Sequence, residues 1–210
     1  KQATRFAAVC KILPDGEGVL IAPRWVLTAA HVATGAPRER LRAQLLGVEY
    51  RVAEVIAYPD WRPGKTDLAL MRLAAPVQQV APLELSNADL AVGTEVLLAG
   101  RGDYGDGQRG VVGNDGKLRV ANNAVSKIEP ERLFIRLDAP EDGALDAEGV
   151  SGPGDSGTPA LVERDGRLEV VGIGSVGVSP KPRPYGEYGS QDVFIRTSHF
   201  AEWILEEQSR

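Results

Sequence analysis

A chain of 210 residues with a net charge of −5, 43% hydrophobic residues, 24 glycines and 14 prolines is turn-rich and globular rather than fibrous or disordered. Its acidic balance and lack of a basic tract exclude non-specific binding to nucleic acid or anionic membrane, both of which need a basic face. No apolar run approaches the ~20 residues of a membrane span, and the first five residues carry no signal-peptide pattern. Because the chain starts at Lys1 rather than methionine, a processed or trimmed protein is expected, and the compartment stays open.

In chain order, residues 7–13 read as a short buried strand around Cys10, the one cysteine of the chain. It has no intramolecular disulfide partner and is expected to pack as a small apolar residue. Short apolar or alternating runs follow at 18–21, 25–29, 50–57, 68–73, 96–99, 117–125, 133–137, 168–178 and 193–197, punctuated by Gly, Pro, Asn and Asp. Many short strands without strand–helix alternation predict an all-β sandwich or barrel. Residues 74–92, with Pro76 and Pro82, lack strand periodicity and read as a linker. One helix is predicted, over 198–208, with Ser198 as its N-cap and Phe200, Trp203 and Ile204 on one face. Two Gly-x-Gly-x-x-Gly strings, 100–105 and 172–177, precede turn-rich sequence rather than helix, which argues against dinucleotide binding. The tripeptide Arg101-Gly102-Asp103, used elsewhere in cell adhesion, is short enough to recur by chance.

Three strings carry the chemistry: Thr28-Ala29-Ala30-His31, then Thr66-Asp67-Leu68-Ala69-Leu70, then Gly154-Asp155-Ser156-Gly157. A serine hydroxyl is a weak nucleophile until an imidazole takes its proton, and the imidazole needs a carboxylate to fix its tautomer and orientation. His31, Asp67 and Ser156 supply those groups. Taken singly, each has a plain explanation: a packed histidine, an aspartate capping a turn, a serine in a tight turn. Their joint occurrence in this order favours catalysis. An α/β-hydrolase would need Gly-x-Ser-x-Gly and the order Ser, Asp, His, and this chain has neither.

The strings resemble those of the trypsin/chymotrypsin-like serine proteases, whose histidine follows Thr-Ala-Ala, whose aspartate opens Asp-Ile-Ala-Leu and whose serine sits in Gly-Asp-Ser-Gly-Gly-Pro. The resemblance spans residues 6–205. It implies two packed antiparallel six-stranded β-barrels and a C-terminal α-helix, with His31 and Asp67 in a first unit (1–83), Ser156 in a second (84–210), and neither active alone. It implies an endopeptidase forming an acyl-enzyme at Ser156, with His31 as general base then acid and Asp67 orienting it. The N–H groups of Gly154 and Ser156 would form the oxyanion hole, and Ser175 would support Asp67. A neutral imidazole is needed for the base role, so activity is expected to rise with pH as His31 loses its proton. The resemblance further implies a polypeptide substrate, no metal or organic cofactor, and a monomer open to a protein inhibitor. A secreted or periplasmic setting is expected, with the cytoplasm left open. A single cysteine points to a bacterial-type member. A catalytically silent or zymogen-like homologue acting as a binding protein is the alternative, and an esterase with the same triad is a third reading.

Several positions depart from the family pattern. Thr158 replaces the second glycine after the serine, and either reshapes the leaving-group side or packs. Ser175-Val176-Gly177 matches a Ser-Trp-Gly segment that lines the specificity pocket and pairs with extended substrate. Val176 makes the adjacent subsite less aromatic, and Gly177 leaves the mouth open. Val150, six residues before Ser156 and next to Ser151, stands where trypsin itself carries an aspartate, and predicts apolar preference. Asp192 aligns with a pocket glycine and either binds a basic side chain or sits in an exposed turn. The family counterpart of Asp155 pairs with the ammonium of an Ile-Val-Gly-Gly start, which this chain lacks. Three readings follow: a true N-terminus upstream of Lys1, another cation for Asp155, or an inactive form.

Overall fold

The computed structural model describes residues 2–180, 182 and 184–210. The first barrel is built from β1 (Val9–Leu13), β2 (Glu17–Ala22), β3 (Trp25–Thr28), β4 (Arg42–Leu45), β5 (Val48–Ala57) and β6 (Ala69–Leu73). They close in the order β1-β2-β3-β6-β5-β4, every neighbouring pair antiparallel. Closure removes all edges, so each strand can bury its apolar side chains inward, as Ile12, Leu20, Val26, Leu45, Met71 and Leu73 do completely. β4 is Arg-Ala-Gln-Leu, and only Ala43 and Leu45 point into this core. Two inward residues are too few to register as an alternating run, so this strand escapes sequence reading.

After β7 (Glu84–Leu85) come β8 (Glu95–Gly100), β9 (Tyr104–Asp106), β10 (Gly110–Gly113), β11 (Arg119–Ile128), β12 (Arg132–Arg136), β13 (Pro159–Arg164), β14 (Arg167–Val178) and β15 (Gln191–Arg196). The sheet runs β13-β8-β11-β12-β15-β14, and β13 also pairs with β14, which closes a second six-stranded antiparallel barrel. β7 adds to β14 in parallel, and β9 with β10 forms a separate hairpin. That hairpin is glycine-rich and mostly exposed, so it has no apolar pattern to read. β13 opens on Pro159, a first-residue position where a missing N–H is tolerated.

The predicted linker is a strap rather than a free connection. Val77 N–H donates to Pro23 O at 2.7 Å, Leu83 N–H to Leu20 O at 2.9 Å, and Ser86 N–H to Val170 O at 2.9 Å. It is thus stitched to both barrels. One apolar cluster also crosses the seam, joining Leu20, Leu27 and Leu70 to Leu161, Val170, Ile173 and Ile195.

The C-terminal helix is Ala201–Ser209, entered through a 3₁₀ turn, Thr197–His199. Ser198 is therefore not the N-cap; its hydroxyl accepts from Arg196 Nε at 3.0 Å instead. Phe200 and Ile204 are buried in the cluster that crosses the seam, and Tyr58 of the first barrel meets Phe200 and Trp203 edge-on at 5.0 and 5.2 Å. The helix contributes its apolar face to the other barrel. Among the described residues no helix is long and apolar enough to cross a membrane. Truncating Ile204→Ala removes a fully buried side chain and is expected to lower unfolding stability by about 2–5 kcal/mol in denaturant titrations.

Candidate active site

β3 and β6 pair with Thr28 opposite Ala69, so the turn leaving β3 and the loop entering β6 emerge side by side from one end of the first barrel. The turn becomes the short helix Ala30–Thr34 carrying His31, and the loop carries Asp67. Asp67 is only 5% exposed. Its Oδ1 accepts the His31 backbone N–H at 2.9 Å, and its Oδ2 lies 2.6 Å from His31 Nδ1. A third donor comes from the other barrel: Ser175 Oγ on β14 donates to Oδ2 at 2.7 Å. Burial pushes the Asp67 carboxyl up, but the hydrogen bonds from His31 and Ser175 outweigh it and hold the group below its ordinary value. An ionised carboxylate can only accept, so Nδ1 carries the imidazole proton and Nε2 is left as an acceptor.

Ser156 reaches the same place on a turn pinned from two sides. Its carbonyl accepts the Glu17 N–H of β2 at 2.8 Å, while Gly157 N–H donates to Gly174 O, beside Ser175, at 2.8 Å. Gly154 and Gly157 have φ of 91° and 85°, a left-handed backbone that glycine adopts without strain. At Gly157 a Cβ would also stand 2.2 Å from Glu17 O. The N–H groups of Asp155, Gly157 and Thr158 are taken by carbonyls. Among the described residues, those of Gly154 and Ser156 have no acceptor. Thr158 is buried and its Oγ1 donates to Ala99 O at 2.6 Å, so its departure from glycine is a packing contact.

A cavity of about 260 Å³ adjoins the turn, lined by Ser156, Ser151, Val176, Gly177, Tyr185 and Val193. Gly177 does not leave its mouth open, because the Tyr185 ring packs onto it, 2.4 Å from where a Cβ would stand. Val150 does not line this cavity; it lines two neighbouring clefts. Val176 is 55% exposed, at a register shift in β14. Asp192 is not in an exposed turn but on β15, 2% exposed. It accepts from Ser151 N–H and Ser151 Oγ, both at 2.7 Å, and is hydrogen-bonded to the Tyr185 hydroxyl. That hydroxyl also reaches Ser151 O at 2.7 Å. The Tyr185 hydroxyl donates to Asp192 Oδ1 and also faces Ser151 O, so its single hydrogen is shared between two acceptors. Burial pushes the Asp192 carboxyl up to about 6, against the hydrogen bonds from Tyr185 and Ser151.

Asp155 is buried and accepts Gly102 N–H at 2.6 Å and Gly152 N–H at 2.8 Å. Among the described residues its partners are backbone N–H groups, not the cation that one reading anticipated. Burial raises its pKa, and these hydrogen bonds oppose the rise. Beside it, Glu17 is 1% exposed and receives Arg101 on both oxygens, N–H on Oε1 and Nη1 on Oε2, each at 3.1 Å. Arg101 is thereby engaged, so the Arg-Gly-Asp string is not displayed for a partner. Neither Gly-x-Gly-x-x-Gly string opens a helix; the first leads from β8 towards β9 and the second lies within β14.

Sequence reading missed Glu17, Arg101 and Tyr185. A carboxylate flanked by Gly16 and Gly18 at the head of an apolar strand was a usable signal for Glu17. Nothing in the composition around Tyr185 pointed to the cavity. Among the described residues there is no cluster of His, Cys, Asp and Glu suited to a metal ion.

The model of the trypsin family matches residues 10–204. Mouse serine protease 56 is 30% identical over 219 residues, covering 94% of this chain and 35% of its own length. Human serine protease 56 is 28% identical over 217 residues, covering 91% and 34%. Neuropsin, a serine protease expressed in the limbic system of mouse brain, superposes with a TM-score of 0.77 at 21% identity, over 98% of this chain and 96% of that one, a likeness that shows the fold. The chain belongs to the trypsin family of serine proteases. It spans about a third of the length of the curated relatives it matches. Those relatives are mammalian, so the bacterial origin inferred from the lone cysteine is not supported.

Between 3.8 and about 6 the folded protein keeps a proton on Asp192 that the unfolded chain has released. Wild-type stability should therefore fall relative to Asp192→Asn as pH rises through that window, by on the order of 3 kcal/mol once complete. Paired denaturant titrations at pH 4 and pH 7 check both sign and size.

Proposed function

We propose that the chain is a serine endopeptidase that cleaves polypeptides through an acyl-enzyme at Ser156. The observation that carries this reading is the convergence on Asp67 of His31 and Ser175, from different barrels, with Ser175 and Ser156 lining one cavity. With Nδ1 committed to Asp67, His31 Nε2 takes the proton of Ser156 Oγ as that oxygen attacks the substrate carbonyl carbon. The carbonyl oxygen becomes an oxyanion, for which the N–H groups of Gly154 and Ser156 are the available donors. As the intermediate collapses, the C–N bond breaks and His31 returns its proton to the leaving amine. Water, deprotonated by the same nitrogen, then attacks the acyl-enzyme and releases the acid, with the proton going back to Ser156. Asp67 remains ionised throughout and stabilises the imidazolium. No step needs a metal or organic cofactor.

The cavity beside Ser156 is smaller than the roughly 300–1,000 Å³ of small-molecule sites, and suits one side chain. We read that side chain as uncharged. Asp192 spends its oxygens on Ser151 and Tyr185 and does not line the cavity, while Asp155, which does, is held by the Gly102 and Gly152 N–H groups. A cationic side chain would have to displace these donors.

Two measurements test the proposal. A fluorophosphonate probe should add once to the wild type and not to Ser156→Ala by intact mass, and Asp67→Asn should lower kcat by about 10⁴-fold. A wild type left unlabelled would instead support the binding-protein alternative. In peptide libraries an uncharged residue before the scissile bond should be preferred over Lys or Arg by at least about tenfold in kcat/KM. Tyr185→Ala should narrow that ratio by exposing Asp192.

A further inference from the structure

The buried pair Glu17 and Arg101 joins the two barrels next to Ser156, and no step of the proposed mechanism uses it. Glu17 belongs to β2 of the first barrel; Arg101 belongs to the loop that leaves β8 of the second. Both Glu17 oxygens accept from Arg101, one from its N–H and one from its guanidinium. The carboxylate thus clamps the loop by backbone and side chain at once, and the guanidinium is held further by Val9 O at 3.5 Å. The next residue in that loop is Gly102, whose N–H donates to Asp155 Oδ1. Contact between this loop and Asp155 is close throughout. A Cβ at Gly100 would stand 2.1 Å from Asp155 Oδ1, and one at Gly102 2.6 Å from Asp155 Cγ. Asp155 is in turn the residue between Gly154 and Ser156. Glu17 also touches the turn directly, through its N–H to Ser156 O.

We infer that Glu17 is a positioning residue for the reaction: by clamping Arg101 it holds the Gly102 N–H on Asp155, and so fixes the turn that presents the Gly154 and Ser156 N–H groups and the Ser156 hydroxyl. This rests on the endopeptidase reading. The chain of contacts is continuous, from carboxylate to loop to Asp155 to turn, and each link is a hydrogen bond or a contact too tight for a methyl group. A free backbone loop would hold Asp155 only while the loop kept its shape, since a backbone N–H has no charge of its own to direct it. Glu17 gives the loop a fixed anchor in the other barrel. The charged and titratable groups around Glu17 are Arg101, Asp155, Lys11 and Cys10, and Arg101 is the one that bonds to it.

Glu17→Gln keeps the shape but replaces one acceptor oxygen by an amide N–H donor, so the two bonds from Arg101 cannot both persist. Backbone amide hydrogen exchange is the first readout, because it does not depend on turnover. Exchange at Gly102 and Gly152 should accelerate by about 30-fold or more while core amides such as Leu27 and Ile173 keep their protection. On a peptide substrate kcat should fall by about 10²-fold with KM within twofold, the pattern of weakened transition-state donors. Unchanged exchange at Gly102 and Gly152, a uniform loss of protection across both barrels, or an unchanged kcat would each overturn the inference. Should Glu17→Gln fail to fold, Arg101→Ala serves, since that side chain is 24% exposed. Added methylguanidine should then restore both Gly102 protection and kcat, and no restoration overturns the proposal. A wild type that turns over no peptide refutes the endopeptidase reading alone. An active wild type with Gly102 insensitive to Glu17 refutes the positioning role alone.

Discussion

Asp67 is a buried carboxylate that neither barrel can satisfy by itself. His31 provides two donors from the first barrel, and Ser175 provides the third from the second. A buried carboxylate with a missing partner is costly enough that proteins protonate it or unfold around it. The seam between barrels and the geometry of the site are therefore one constraint rather than two. The apolar cluster crossing the seam brings the barrels together without regard to register. Asp67 accepts only the docking that also brings Ser175, and with it Gly174 and the Ser156 turn, to His31. What fixes the imidazole tautomer also fixes how the halves sit.

The surroundings repeat this economy with other acids. Glu17, Asp155 and Asp192 are each buried within a few residues of the Ser156 turn or its cavity, and each accepts donors from at least one neighbouring loop. Burial alone pushes all three upward, a standing strain that the cores of both barrels must offset. The gain is rigidity where the chemistry occurs. Loops that would otherwise be loose, 100–102 and 151–154, are tied down by carboxylates that accept only from fixed directions.

Much of this was legible beforehand, for physical reasons that differ by element. Strands such as β3, β6, β8 and β14 bury enough apolar residues to mark themselves, and His31, Asp67 and Ser156 stand in strings whose residue types the chemistry demands. β4, the β9 and β10 hairpin and β13 carried no such mark. They are short, exposed, or opened by a proline, and pairing with neighbours rather than local pattern makes them strands. Ser198 looked like a cap because its spacing was right, yet a 3₁₀ turn moved the helix start beyond it. Val150 and Asp192 show the sharper limit. Counting from a motif gives a residue's place in the chain, but which cavity it faces depends on loops such as 184–188 that no motif contains. Tyr185 was invisible for that reason, and it alters the meaning of Asp192.

The strap over residues 74–92 has a thermodynamic meaning of its own. Bonded to Pro23 and Leu20 on one side and to Val170 on the other, it makes docking of the barrels an intramolecular event with an effective concentration that is roughly millimolar or higher. In one continuous chain that association is insensitive to dilution. A single proteolytic cut within the strap would leave every contact around Asp67 chemically unaltered and yet turn the molecule into a complex of two fragments. From then on its integrity would be a matter of mass action, lost at low concentration and regained at high.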